Sequence, residues 1–248
     1  MSAPSRRPRP PCIALDFDGT LICEHVLVVW VLFLLRRSGW PALRRVSFLA
    51  KSIVRGAAAV AFSRWPACAP WAVRAAFAAF RGVEEKSVTA LVDCRRTLRG
   101  GEPAHLLTLN PAVTAMIGEM LPPCRKTPEI RIYSQGSSRE VIQAFLARAD
   151  VKAQLGAIGI HPAAVRVYAN ALETDGGGRF TGVIEGSILT KHNRPASLPE
   201  HAVFIGDGDD EKIFRRIGGD GSVRFINWRR WGRHHIGRGF DTPAQPLV

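Results

Sequence analysis

The sequence predicts an α/β fold: a parallel sheet interrupted by a long helical insertion. Two observations carry this. Short apolar runs at 13–15 and 202–205, and a short strand-like segment at 129–133, each end in a polar, glycine-bearing turn. Open α/β sheets gather their sites where strands end in this way, at the carboxyl edge. The stretch between the first and second of these turns has helical composition, broken only by Gly and Pro clusters.

The first turn, Asp16-Phe17-Asp18-Gly19-Thr20, sets two carboxylates two positions apart. On an extended chain they share a face, and Gly19 permits the bend that offsets them. Close carboxylates repel, which favours a bound cation or one protonated member; both serve phosphoryl transfer. Asp-x-Asp-Gly also occurs in calcium loops and ordinary turns, so its meaning depends on the rest of the chain.

Helices are expected over 24–38, 42–62, 71–80 and 84–97, bounded by Gly39 with Pro41, by Pro66 with Pro70, by Gly82, and by Gly100 with Gly101. The apolar run 26–35 is about half of the ~20 residues needed to cross a bilayer, so it reads as a buried helix. Pro111 to Met120 should be a core helix, capped by Asn110 and stopped by Pro122 and Pro123.

The second turn, Ser134-Gln135-Gly136, follows a short strand from Glu129. Ser137 to Glu140 reads as a capping box opening a helix over 141–149, which sets Ser134 beside an anion-attracting helix start. Asp175 to Gly178 reads as a loose hairpin tip. Lys191 follows a turn-rich stretch, and the last strand runs into the acidic turn Gly206-Asp207-Gly208-Asp209-Asp210-Glu211. These acids also suit a helix N-terminus over 210–217.

Taken in order, these segments resemble the haloacid dehalogenase superfamily of phosphohydrolases and, within it, the phosphoserine phosphatase-like branch. The resemblance runs from Ile13 to about Trp228. It implies a Rossmann-like core over 12–23 and 102–228, with a helical cap inserted over 24–101. It implies that Asp16 is the nucleophile and Asp18 the general acid and base. Thr20, Ser134, Gln135, Gly136 and Lys191 would meet the phosphoryl group, and Arg194 is a fallback cation. A magnesium ion would be held by Asp16, Asp18 through its backbone carbonyl, and Asp207, with Asp210 and Glu211 in outer roles. Where the branch carries a substrate-binding glutamate this chain has His25, with Glu24 one place earlier.

The implied activity is hydrolysis of a small phosphorylated substrate through an aspartyl-phosphate. The alternatives are a phosphotransferase or mutase using the same intermediate, and a noncatalytic relative that binds membrane or nucleic acid. Asp18 argues against dehalogenation, because dehalogenases of this superfamily lack the second aspartate. No nucleic-acid module accompanies the aromatic and cationic stretch at 228–235, which reads as a tail docked on the core.

The chain has 248 residues, 46% of them apolar, enough for a substantial core without disulfides. Cys12, Cys23, Cys68, Cys94 and Cys124 are odd in number and scattered, which points to a reducing cytoplasm rather than a disulfide framework. Residues 1–11 are expected to be a disordered basic tail and not a signal peptide; residues 229–248 form a second basic tail. The net charge of +13 is concentrated in the insertion, where residues 24–99 hold thirteen Lys and Arg against four Asp and Glu. That surface either steers a phosphorylated substrate or contacts an anionic membrane from its periphery.

Overall fold

The computed structural model describes residues 12–37, 39–97, 103–121, 128–193, 198–199, 201–208, 210–212 and 223–235. The expected tail at 1–11 falls outside them, as do residues 236–248 of the tail expected over 229–248, Asp209, Arg194, Cys124 and most of the expected 210–217 helix, whereas residues 229–235 are helical.

Strand β1 (Cys12–Asp16) is buried along its whole length. It leads into the bent turn Phe17–Leu21, where Gly19 takes φ +67°, a conformation that favours glycine. Helices α1 (Val26–Arg37), α2 (Ala42–Phe62) and α3 (Ala69–Phe77) follow, the last extended by one tighter turn at Ala78–Phe80. Gly39 and Pro41 separate α1 from α2, and Pro70 sits in the first turn of α3, where its missing N–H costs nothing.

The first and last of the helices expected over 24–97 differ from the structure. The first was placed at 24–38 but starts at Val26, because the Glu24 carboxylate is taken by the backbone N–H and hydroxyl of Thr108, each at 3.1 Å. The last was placed at 84–97, yet α4 spans only Ser87–Val92 and β2 (Arg95–Thr97) follows it. Val88, Leu91 and Val92 are buried, whereas Arg95 and Arg96 offer no apolar face to extend the helix. The chain pairs instead with β3 (Pro103–His105), in antiparallel register.

Helix α5 (Pro111–Met120) has the expected cap, Ala112 N–H donating to Asn110 Oδ1 at 3.1 Å. Strand β4 (Glu129–Ser138) is long and irregular, its register shifting between Ser134 and Ser138. The helix expected over 141–149 is instead α6 (Arg139–Ala147). Extended backbone at Arg148 then separates it from α7 (Ala149–Ala157), and the Arg148 guanidinium grips Asp150 at 2.6 and 2.8 Å.

Next come β5 (Val165–Asn170) and the antiparallel hairpin of β6 (Leu172–Thr174) and β7 (Phe180–Ile184). Asp175 Oδ1 closes the hairpin tip by accepting from Gly177 and Arg179 N–H, both at 2.9 Å. Strands β8 (Val203–Gly206) and β9 (Arg224–Asn227) precede α8 (Trp228–His235).

Five strands form a wholly parallel sheet in the order β5-β4-β1-β8-β9. This is a Rossmann-like α/β core with β1 at its centre. Central parallel strands are covered on both faces, which is why β1 and β8 read as unbroken apolar runs. On one face Ala14, Tyr133 and Phe204 pack with Tyr168, which stacks on Tyr133 at 4.8 Å. On the other, Ile13, Leu15 and Phe145 belong to one buried cluster that continues through Trp30, Phe80 and Phe180. The β6–β7 hairpin reaches into that cluster. Gly82 N–H donates to Phe180 O at 2.7 Å and Phe180 N–H to Val83 O at 2.9 Å, while Trp30 meets the Phe180 ring edge-on at 5.8 Å.

Candidate active site

The sheet register sets the site. Asp16 lies opposite Tyr133 of β4, one step before Ser134, and Leu15 lies opposite Ile205 of β8, two steps before Asp207. The carboxyl ends of three adjacent strands therefore bring Asp16 and Asp18, Ser134, and Asp207 to one edge of the sheet, at the point where strand order reverses.

Asp18 is held from several sides. Ser134 donates to its Oδ2 at 2.8 Å, Ser137 Oγ lies 2.8 Å from both of its oxygens, and Val26 N–H donates to Oδ1 at 2.9 Å. The last contact places the carboxylate at the N-terminus of α1, where unpaired amides and the helix dipole favour negative charge. Ser134 Oγ in turn accepts from Ser137 N–H at 2.7 Å, so the β4 turn is wrapped around Asp18.

Ser137 corrects the expected capping box. The helix cap is Ser138, whose Oγ accepts from Val141 N–H at 3.5 Å, while Glu140 Oε1 accepts from Leu172 N–H at 3.4 Å. Ser137 is thereby left for Asp18, a role the sequence reading did not assign.

The other expected phosphoryl contacts have structural duties here. Gln135 Oε1 accepts the Lys191 N–H at 2.7 Å and so fastens the lysine segment to the β4 turn. Gly136 lies close to Asp18, whose Oδ2 is 3.5 Å from the place a Cβ would occupy. Thr20 is sealed from solvent, and among the described residues its hydroxyl finds no hydrogen-bond partner.

Lys191 and the acidic turn meet directly. Lys191 Nζ lies 2.8 Å from Oδ1 of Asp210, whose side chain is 0% exposed. Asp210 Oδ2 accepts from Asp207 N–H at 3.4 Å, and Asp207 Oδ1 accepts from Asp210 N–H at 3.2 Å. Gly206 is required beneath this turn, since a Cβ there would stand 2.6 Å from Asp210 Oδ2. Glu211 points elsewhere, accepting from Asn227 at 3.1 Å and from Arg230 of α8 at 3.3 Å. This contact docks the start of the aromatic and cationic stretch on the core.

Two further residues escaped the sequence reading. Asn170, buried at the end of β5, donates to Gln135 O and Leu189 O at 3.1 Å each and accepts from Leu189 N–H at 2.8 Å. It clamps the β4 turn to the lysine segment. His192 Nε2 lies 2.9 Å from Ser63 O, bringing the end of α2 against the same segment. Glu24 is held by Thr108, and burial pushes its carboxyl above the ordinary value despite those hydrogen bonds. His25 packs beside Gly19, its ring carbon 3.1 Å from the position of a Cβ.

Among the described residues, no three His, Cys, Asp or Glu side chains are gathered closely enough to hold a metal by themselves. The expected set asks for only two carboxylates, Asp16 and Asp207, with the Asp18 main-chain carbonyl as third donor. All three are hard oxygens, the donor chemistry that suits magnesium. Asp18's own carboxylate is meanwhile committed to the serines and α1, which agrees with a role for its carbonyl.

Comparison by sequence finds no matching protein family and no matching curated protein. Comparison by structure finds phosphoserine phosphatase as a phospho-aspartyl intermediate analogue, at TM-score 0.51 and 14% identity, covering 92% of this chain and 99% of that one. It also finds cytosolic 5'-nucleotidase IIIB bound to cytidine, at TM-score 0.51 and 12% identity, covering 94% of this chain and 79% of that one. These likenesses concern the fold: the chain shares the overall architecture of these two structures.

Proposed function

We infer that this protein is a magnesium-dependent phosphomonoester hydrolase working through an aspartyl-phosphate. One observation carries the reading: the Asp16 and Asp18 turn meets the Ser134 turn at one sheet edge, with Lys191 and Asp207 supplied by the next two segments. The likeness to two phosphatase structures supports it at the level of fold.

In this mechanism an Asp16 oxygen attacks phosphorus, and the bond from phosphorus to the ester oxygen breaks. Asp18 gives that oxygen its proton, releasing an alcohol. Asp18 then takes a proton from water as the water attacks phosphorus, which frees inorganic phosphate and restores the Asp16 carboxylate. For Asp18 to carry a proton, one serine contact must reverse its direction, which a hydroxyl can do because it both donates and accepts. Ser134 turns from Asp18 to a phosphoryl oxygen, and Lys191 neutralises charge there. Asp16, Asp207 and the Asp18 carbonyl would hold magnesium, which when bound supplies positive charge to the phosphoryl oxygens.

The helices over residues 26–92 act as a cap on this edge, and the protein works in the cytoplasm on a small phosphorylated substrate. The test is a panel of sugar phosphates, phospho-amino acids, nucleotides and headgroup phosphates assayed with magnesium, using wild type and Asp16→Asn. Turnover of at least one ester, lost to below a few per cent in the variant, is expected. Retained turnover in Asp16→Asn would remove it as nucleophile, and transfer to an alcohol in preference to water would favour the phosphotransferase.

A further inference from the structure

Helix α2 is packed with its apolar side outward. Of its 21 residues only Phe48 is a buried apolar anchor. At 100° per residue, Leu43, Val46, Ile53, Val54 and Val60 fall on the side opposite Phe48. They are exposed, Leu43 to 82%, Val54 to 68% and Val60 to 65%. Single exposed apolar residues are ordinary, but a stripe along a helix roughly 30 Å long is not. Val28 and Leu32 of α1 continue it, across an apolar cleft of about 360 Å³ that Leu49 and Ile53 of α2 also line. At the far end Trp65 and Trp71 are exposed, both packed around Phe62.

Charge identifies what covers this face. Residues 26–83 contain nine Lys and Arg and no Asp or Glu. Arg45 and Lys51, both exposed, border the α2 stripe on its two sides. A second copy of the chain would set these cations against cations, a juxtaposition that opposes association. An anionic bilayer satisfies both halves of the surface, with hydrocarbon for the stripe, lipid charge for its borders, and a headgroup boundary for the tryptophans. Among the described residues no helix is long and apolar enough to cross a membrane, so the helix lies along the surface rather than through it.

We propose that the exposed face of α1 and α2 docks the protein on the surface of an anionic lipid bilayer. The proposal stands apart from the hydrolase reading, since it uses none of the carboxylates or serines of the site. The docking surface adjoins the site, because the first N–H of α1 donates to Asp18 and α2 ends beside His192.

The test is co-sedimentation of the full chain with vesicles of phosphatidylcholine alone or with about a third phosphatidylglycerol, at low and high salt. Wild type should pellet with the anionic vesicles only, with tryptophan emission shifted to the blue and with binding weakened as salt rises. Arg45→Gln with Lys51→Gln should lower partition on the order of 25-fold, about fivefold for each cation. Ile53→Ser with Val54→Ser should lower it at least roughly tenfold. All four positions are exposed, so unchanged melting curves and circular dichroism will show that the variants are folded. Equal pelleting with neutral vesicles, no pelleting at low salt, or partition unchanged in the folded variants would overturn the proposal. So would a solution dimer that Ile53→Ser with Val54→Ser dissolves, since a second copy would then be the occupant.

Discussion

Replacing Gly206 with alanine drives a methyl group into the most tightly constrained part of the acidic turn. The new Cβ would stand 2.6 Å from Asp210 Oδ2, 2.9 Å from Asp210 Cβ and 3.0 Å from the Phe204 ring. Asp210 cannot swing away cheaply, because it is fully buried and its other oxygen holds Lys191 at 2.8 Å. Overfilling a packed site costs about 1–3 kcal/mol. Breaking a buried ion pair costs about 3–5 kcal/mol, here at the lower end because Lys191 retains 26% of its exposure and can reach water. Gly206→Ala should therefore destabilise by about 2–4 kcal/mol, read from the urea midpoint at unchanged m. Asp210→Ala alone should cost about 3 kcal/mol, but the double variant should cost at least ~1 kcal/mol less than the sum, since removing the carboxylate makes room for the methyl group. A loss below about 0.5 kcal/mol for Gly206→Ala, or strict additivity, would refute the contact that this reasoning rests on.

Ser137→Ala removes a hydroxyl 2.8 Å from both Asp18 oxygens and should lower kcat roughly ten- to a hundredfold with KM little changed, more for alkyl than aryl phosphates; Ser137→Thr should restore part of it. Asp207→Ala should raise the magnesium concentration needed for half-maximal rate, and calcium should inhibit wild type, both read by metal titration of a chelator-stripped enzyme. Burial raises the Glu24 carboxyl above its ordinary 4.5, so the folded state holds that proton more tightly than the unfolded chain. Its contribution to stability is full below 4.5 and is lost as pH rises through the raised value; Glu24→Gln should flatten that part of the curve of melting temperature against pH.

The strand ends were legible because the sheet needs uninterrupted apolar residues and its edge needs the opposite, so each boundary is sharp in the sequence. Asn110 with Pro111 was legible for a similar reason, as a cap acts within a single turn. Ser137 was not, because a serine three places before a glutamate satisfies the capping rule, and only the β4 bulge shows that Ser138 takes that duty. The pairing of Lys191 with Asp210, the Asn170 clamp and the hold of Thr108 on Glu24 all join distant segments, for which local spacing carries no signal. The apolar run 26–35 reads as a buried helix, yet Val28 and Leu32 face solvent, and the outward stripe of α2 went unread. A stripe turned toward solvent has the same spacing as one turned toward the core.

The β6–β7 hairpin bears on the order in which this chain can become itself. During synthesis the helices of residues 26–92 emerge early, yet the ring that packs against Trp30 and the backbone that pairs with Gly82 and Val83 belong to Phe180, 150 positions after Trp30 and 98 after Gly82. Until then Trp30, Phe80 and Val83 lack part of their cover. Contacts so far apart close slowly, and the waiting surface is exposed to intermolecular association. A fragment cut at the boundaries 24 and 101 would meet the same lack permanently, so the helical segment is better regarded as completed by the catalytic half than as a module appended to it.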